Sequence, residues 1–166
     1  REKATSNICT AQVLLAVMAG MYAVYHGPQG LLAIAERIHS LARTLGAGLK
    51  RLGYTLQHDQ YFDTLRVACD AKQKGYLAST LHSQGINLRW FDDCSAGISL
   101  DELSTLDEVE RLLVLFAHNR AKQCSARELA RDLPDGYQGL MKRTSAYLMH
   151  PVFHSHRSET EMLRYI

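Results

Sequence analysis

Phe62-Asp63-Thr64-Leu65-Arg66-Val67-Ala68-Cys69 decides the fold class of this chain. Apolar and polar side chains alternate along it, the period-2 pattern of a strand with one buried face. Before residue 54 the apolar residues recur at helical spacing instead, so the chain turns from helix to sheet near that point.

Working back towards the start, Leu31, Ile34, Ile38, Leu41, Leu45 and Leu49 mark one face of a helix over roughly Gly30–Leu52. Arg37, His39, Arg43 and Lys50 fall on its expected wet face. His26-Gly27-Pro28-Gln29-Gly30 reads as a helix break, with Gly as a stop signal and Pro just beyond it. Ahead of the break, Ile8, Ala11, Leu14, Leu15, Met18, Tyr22 and Tyr25 predict another long helix from about Asn7 to Tyr25. Small residues flank that stripe at Ala16, Ala19, Gly20 and Ala23, which suggests close packing on more than one side.

Working forward, Tyr54–Gln57 reads as a short strand and Lys72–Gln84 as a helix closed by Gly85, with Tyr76, Leu77, Thr80 and Leu81 facing inward. Ile86–Phe91 alternates as a strand, Asp92-Asp93-Cys94 makes a turn, and Ala96–Leu100 is a further strand. Ser104-Thr105-Leu106-Asp107-Glu108 is a helix start, its acidic residues favoured by the N-terminal dipole. Val109, Leu112, Leu113, Leu115 and Phe116 carry that helix to about Asn119. The fold class is therefore α+β: two long N-terminal helices, then a small, mainly antiparallel sheet layered with helices. After Asn119 the pattern fades. Ala126–Leu133 could form one helix, Pro134-Asp135-Gly136 is a turn, and Ser145–Arg157 has no clear period. Ser158–Glu161 fits a capping box. Val152, Phe153 and Leu163 are apolar positions expected to be covered by a partner chain.

At 166 residues the chain can bury one substantial core, and 46% hydrophobic with 22% charged residues is ordinary globular composition. A formal charge of +2 gives no reason to expect nucleic acid or a membrane surface as a partner. The apolar stretch Val13–Val24 is too short and interrupted to span a bilayer, and no cleavable leader pattern is present. Cys9, Cys69, Cys94 and Cys124 form no CxxC pair, which predicts reduced thiols in a cytoplasmic-type chain. The first residue is Arg1 rather than Met, and the expectation is a piece of something longer.

The opening run Arg1-Glu2-Lys3-Ala4-Thr5-Ser6-Asn7-Ile8-Cys9-Thr10-Ala11-Gln12 is rich in donors and acceptors. Thr5, Ser6 or Asn7 can cap the first helix. The run holds more polar side chains than a cap needs, so Ser6, Asn7, Thr10 and Gln12 are the candidate interface or site-mouth residues, with a purely structural role equally open. No catalytic residue, cofactor ligand or metal ligand is assigned. His150 and His154 are four apart, but Pro151 lies between them and no HExxH motif is present. Asp92-Asp93 reads as a turn, Asp101-Glu102 and Asp107-Glu108 as helix starts and solvated surface, and Trp90 and Phe116 as core. No phosphate loop or nucleophile elbow appears. Lys3, Lys50, Lys72, Lys74, Lys122 and Lys142 are available for a Schiff base, but none sits in a setting that argues for one.

Several segments carry a resemblance. The opening REKATSNICTAQ, Gly85-Ile86-Asn87-Leu88-Arg89, Gly97-Ile98-Ser99-Leu100-Asp101-Glu102, His150-Pro151-Val152-Phe153 and Ser158-Glu159-Thr160-Glu161-Met162-Leu163-Arg164-Tyr165 occur in order along nearly the whole chain. They closely resemble segments of the P-protein of the glycine cleavage system, the glycine dehydrogenase (decarboxylating) family. The resemblance implies two homologous halves in the parent, each with the fold of type I pyridoxal phosphate enzymes. It puts this chain at the end of the first half and the junction with the second. Residues 1–53 would lead out of the large domain, 54–119 would be the small C-terminal domain, and 120–166 the linker and start of the second half.

The implied parent is an oxidoreductase that decarboxylates glycine and passes the aminomethyl group to a lipoyl carrier protein (H-protein). Its pyridoxal phosphate would sit on a lysine outside this chain, so no cofactor and no activity are expected of the fragment itself. The implied partners are the rest of the P-protein chain and a second subunit. The implied compartment is the cytoplasm in a bacterium or the mitochondrion in a eukaryote. One departure is visible: the family commonly has His directly before SETEM, and this chain has Arg157, with His156 one place earlier. The alternative class is a free-standing α+β ligand-binding or dimerisation module.

Overall fold

The computed structural model describes residues 10–118, 124–134, 136–137 and 142–166. These form two units: residues up to Ile34 together with Arg143–Ile166, and Ala35–Lys142.

The first long element, α1, is assigned over Thr10–Arg51, with a non-helical residue at Gly27 (φ 61°, ψ −178°) and Pro28 directly after it. That backbone conformation is essentially restricted to glycine, and the proline has no amide to continue the ladder, so the break falls where the sequence places it. Residues 10–34 of α1 belong to the first unit and 35–51 to the second.

In the second unit α1 ends at Gly53 (φ 87°), where the Tyr54 amide donates to the Leu49 carbonyl and the Gly53 amide to that of Lys50. This is the paired closure of a glycine-terminated helix. Strands β1 (Thr55–Leu56) and β2 (Thr64–Ala68) follow, then α2 (Ala71–Ser83), β3 (Arg89–Trp90), β4 (Ala96–Ser99) and α3 (Leu106–Phe116). The four strands lie in the order β1-β2-β4-β3, and every neighbouring pair is antiparallel. Leu65 pairs with Ile98 and Val67 with Ala96, so one face of the sheet carries four almost fully buried apolar side chains. Thr64, Arg66 and Ser99 take the other face, as the alternation requires.

Ile38, Leu41, Ala42, Leu45 and Leu49 of α1, Leu77 and Leu81 of α2, and Val109, Leu112, Leu113 and Phe116 of α3 complete the core. Close approach is possible because Gly48 lies against Leu113 and Gly46 against Tyr61 and Leu65. Tyr54 meets the Phe116 ring edge-on at 5.2 Å and donates its hydroxyl to the Phe116 carbonyl at 3.0 Å. Both α2 and α3 begin with reciprocal capping boxes, Asp70 with Gln73 and Thr105 with Glu108. The short α4 (Ala126–Asp132) packs on α3. The first unit adds α5 (Val152–Ser155) and α6 (Glu159–Tyr165).

Several sequence expectations need correction. His39 is not on the wet face of α1. It is 8% exposed, its Nδ1 lies 2.9 Å from the Phe62 carbonyl oxygen, and its ring stacks on Phe62 and leans on Tyr137. Arg37 and Arg43 do face outward, yet they bind backbone rather than water alone, at Glu102 and Ser104 and at Pro134 respectively. The strand expected over Ile86–Phe91 is reduced to Arg89–Trp90, and the Ile86 amide instead donates to the Leu81 carbonyl in the closure of α2. Trp90 is half-buried on this edge strand rather than in the core. Helix α3 ends at Phe116 with Ala117 as its cap, short of Asn119. Ser158 caps α6 through the Glu161 amide, but the Glu161 carboxylate accepts from the Arg157 amide instead of closing a box on Ser158. Asp135 of the expected Pro134–Gly136 turn lies outside the described residues.

The core assignment predicts a contrast. Leu45→Ala, at a fully buried site, lowers the unfolding free energy by about 2–5 kcal/mol. Leu32→Ala, at a site 51% exposed, changes it by less than about 0.5 kcal/mol. Urea denaturation of the two variants checks this.

Candidate functional site

Of the four candidate residues, Ser6 and Asn7 lie outside the described residues, and so does the side chain of Thr10, which opens α1. Gln12 is exposed in the first turns of the helix. Among the described residues no three His, Cys, Asp or Glu side chains gather as a metal site would require. The histidines that suggested one are engaged locally: His150 Nδ1 accepts from the Val152 amide, and His154 Nε2 lies 3.0 Å from the Leu148 carbonyl oxygen.

The second unit contains a recess of about 270 Å³ between the end of α2, strand β4 and α3. Two of the motifs singled out above line it, through Gly85–Leu88 and Ile98–Leu100. Three charged groups at or beside its wall are committed to the scaffold. Arg111 Nη2 donates to the carbonyl oxygen and side-chain oxygen of Gln84, at 2.9 and 2.8 Å. Glu108 accepts from the Thr105 amide at 2.7 Å. The Asp101 carboxylate just beyond accepts from the Ser104 hydroxyl and from the Leu103 and Ser104 amides. These bonds, the Ser104 hydroxyl foremost, hold its carboxyl below the usual carboxylate range.

A pyridoxal phosphate site would need a lysine amine free to form a Schiff base within such a recess. None of the described lysines provides it. No lysine lines the recess. Lys50 pairs with Asp59 on the surface, Lys74 donates to the Phe91 carbonyl, and Lys72 and Lys142 are exposed. This recess therefore lacks the lysine that the cofactor needs.

The acidic pair Asp92-Asp93 proves to be a turn lock. Asp93 accepts from the Ser95 hydroxyl at 2.5 Å, the Ser95 amide at 3.0 Å, Gln57 at 3.3 Å and Arg66 at 2.9 Å. Arg66 in turn lies over the Phe91 ring at 4.0 Å and donates to the Ser95 hydroxyl. The Ser95 hydroxyl bond is the largest cause that pushes the Asp93 carboxyl far below 3.8. This arrangement fixes the β3–β4 connection, including Cys94 at φ 65°.

A third joint lies in the first unit. Tyr147 donates its hydroxyl to the Pro28 carbonyl at 2.6 Å, and Arg157 Nη2 donates to Gln29 at 3.2 Å and to the Phe153 carbonyl at 3.4 Å. A methyl group on Gly27 would stand 2.5 Å from the Phe153 oxygen and 2.7 Å from Arg157 Nη2. Val152 and Phe153 are thereby half-buried within their own unit, while Leu163 remains 67% exposed. Sequence reasoning missed this joint, since no local signal ties a helix break to a segment more than a hundred residues later.

Residues 1–116 match the model of the glycine cleavage system P-protein family. The chain belongs to that family. The P-protein match ends at the last residue of α3. Longer relatives extend the similarity to the whole chain. It is 52% identical over 166 residues to a glycine dehydrogenase (decarboxylating) of Cupriavidus metallidurans and 50% identical to one of Nostoc punctiforme. It is 48% identical to the mitochondrial protein of that name from Mus musculus. All of this chain is covered in each case, but it spans only 17%, 18% and 16% of those relatives.

The lock at Asp93 has a pH signature. A carboxyl whose folded value lies below its unfolded one contributes stability above the unfolded value and loses it as pH falls towards the folded one. Asp93→Asn is therefore less stable than the parent at neutral pH, and the gap narrows on acidification below about pH 4. Urea midpoints measured across that range test the sign.

Proposed function

We propose that this chain serves as a structural and interface segment of a pyridoxal phosphate-dependent glycine decarboxylase, the P-protein of the glycine cleavage system. The observation that supports this most is its identity of about half to glycine dehydrogenases along its entire length. In this reading the parent decarboxylates glycine and transfers the aminomethyl group to the lipoyl carrier protein. The cofactor supplies the electron sink and is carried on a lysine outside these residues. Residues 1–53 lead out of a large domain, 54–119 form the small domain, and 120–166 start the second half. Ser6, Asn7, Thr10 and Gln12 lie near the domain interface or site mouth.

What this chain's own residues contribute is rigidity. The Asp93, Asp101 and Gly27 joints fix loop geometry. The partners proposed are the remainder of the P-protein and a second subunit. The compartment is the cytoplasm in a bacterium or the mitochondrial interior in a eukaryote, and no helix among the described residues is long and apolar enough to cross a membrane. A free-standing ligand-binding module is less well supported, because the polar groups described at the recess wall are already paired to the scaffold.

The test is a replacement. The matching segment of the Cupriavidus metallidurans enzyme is exchanged for this chain, and glycine decarboxylation is measured with H-protein present. Activity within about tenfold of the unaltered enzyme, a barrier change of about 1.4 kcal/mol or less, is expected. The 166-residue chain alone, treated with pyridoxal phosphate and borohydride, is expected to show neither activity nor a stoichiometric lysine adduct. A folded but inactive replacement, or an active isolated chain, contradicts the proposal.

A further inference from the structure

Residues 10–35 contain no Asp, Glu, Lys or Arg. Within α1 this leaves a helix surface with no charged side. Every residue from Gln12 to Gly20 is exposed. Val13 is 46% exposed, Leu14 62%, Leu15 65%, Val17 51% and Met18 59%, so the uncovered surface is largely aliphatic. Successive helical residues turn by about 100°, so this run circles the helix more than twice. The exposure is not a stripe.

A helix that is apolar all round is buried in the core of a large protein or spans a membrane. Among the described residues no helix is long and apolar enough to cross one. A second copy docked by two-fold symmetry would cover one patch of the helix and leave its other sides wet. Enclosure on all sides calls for a socket built of several elements. The relatives have the chain to build one, since the 166 residues occupy only 16–18% of their length.

We propose that Gln12–Gly20, the turns of α1 exposed on every side, is part of a core helix of the parent, enclosed by an apolar socket made from P-protein segments outside these 166 residues, whereas Val24 is already covered by its own unit. The proposal rests on the reading given under Proposed function. The small residues Ala16, Ala19 and Gly20 allow socket side chains to approach the backbone. A methyl group on Gly20 would meet nothing within 4 Å, so that side is open to an occupant. The contrast with residues 35–51 of the same helix is direct: there Leu41, Leu45 and Leu49 are already covered by their own unit.

Amide hydrogen exchange of the segment-replaced Cupriavidus metallidurans enzyme and of the 166-residue chain tests the socket. Peptides covering residues 12–20 are expected to exchange at least about 100-fold more slowly in the replaced enzyme, while peptides covering 41–49 are protected in both. Equal exchange of residues 12–20 in the two samples overturns the socket. So does protection that rises with the concentration of the 166-residue chain alone, which would mean a second copy. Activity on the same sample separates the two ideas. An active replaced enzyme with equal exchange overturns the socket and leaves the proposed function standing. A folded, inactive one with slowed exchange supports the socket and contradicts the function. Should the replaced enzyme not fold, the aligned peptide of the unaltered enzyme is read instead: slow exchange supports the socket and fast exchange overturns it.

Discussion

The second unit depends on the approach of α1 to α3 and the sheet, made possible by two glycines on one helix. Gly48 brings Leu113 down onto the α1 backbone, and Gly46 admits Tyr61 and Leu65. Each glycine inside a helix costs about 1 kcal/mol relative to alanine. That cost is offset by the packing it permits, since Leu45, Leu49, Leu65 and Leu113 are each no more than 1% exposed. The same stretch of helix anchors surrounding loops as well. Arg37 holds the Glu102 and Ser104 carbonyls, Arg43 holds Pro134, and His39 lies 2.9 Å from that of Phe62. Residues 35–51 of α1 are therefore the strut on which the sheet, α3 and three loops are hung.

The parts of this arrangement that obey local rules could be read from the sequence. Alternation in Thr64–Ala68, the glycine stops at Gly53 and Gly85, the break at Gly27-Pro28 and the helix start at Ser104–Glu108 all follow from nearest-neighbour chemistry. What could not be read depends on distant partners. His39 belongs by helical spacing with Arg37 and Arg43, yet Phe62 and Tyr137 enclose it. The Tyr147 and Arg157 bonds to the Gly27 break link segments 119 and 128 residues apart. The opening polar run reads as a cap or a site mouth, and most of it falls outside the described residues.

The segments that mark the family sit at joints in this chain. Gly85–Arg89 is the closure of α2 and the entry to β3. Gly97–Glu102 is β4 and a loop pinned by Asp101 and held from α1 by Arg37. The run around His150–Phe153 and Arg157 meets the helix break. Arg157 donates to both sides of that joint, to the Gln29 side chain and to the Phe153 carbonyl. Strict geometry at joints is what a segment that shapes a larger enzyme would need.

The central claim is that residues 35–142 close their own core, whereas the first half of α1 does not. Denaturant unfolding of a polypeptide comprising residues 35–142 tests it most directly. The account predicts a single cooperative transition, with a midpoint close to that of the same unit within the 166-residue chain. A broad, non-cooperative change in signal would contradict it.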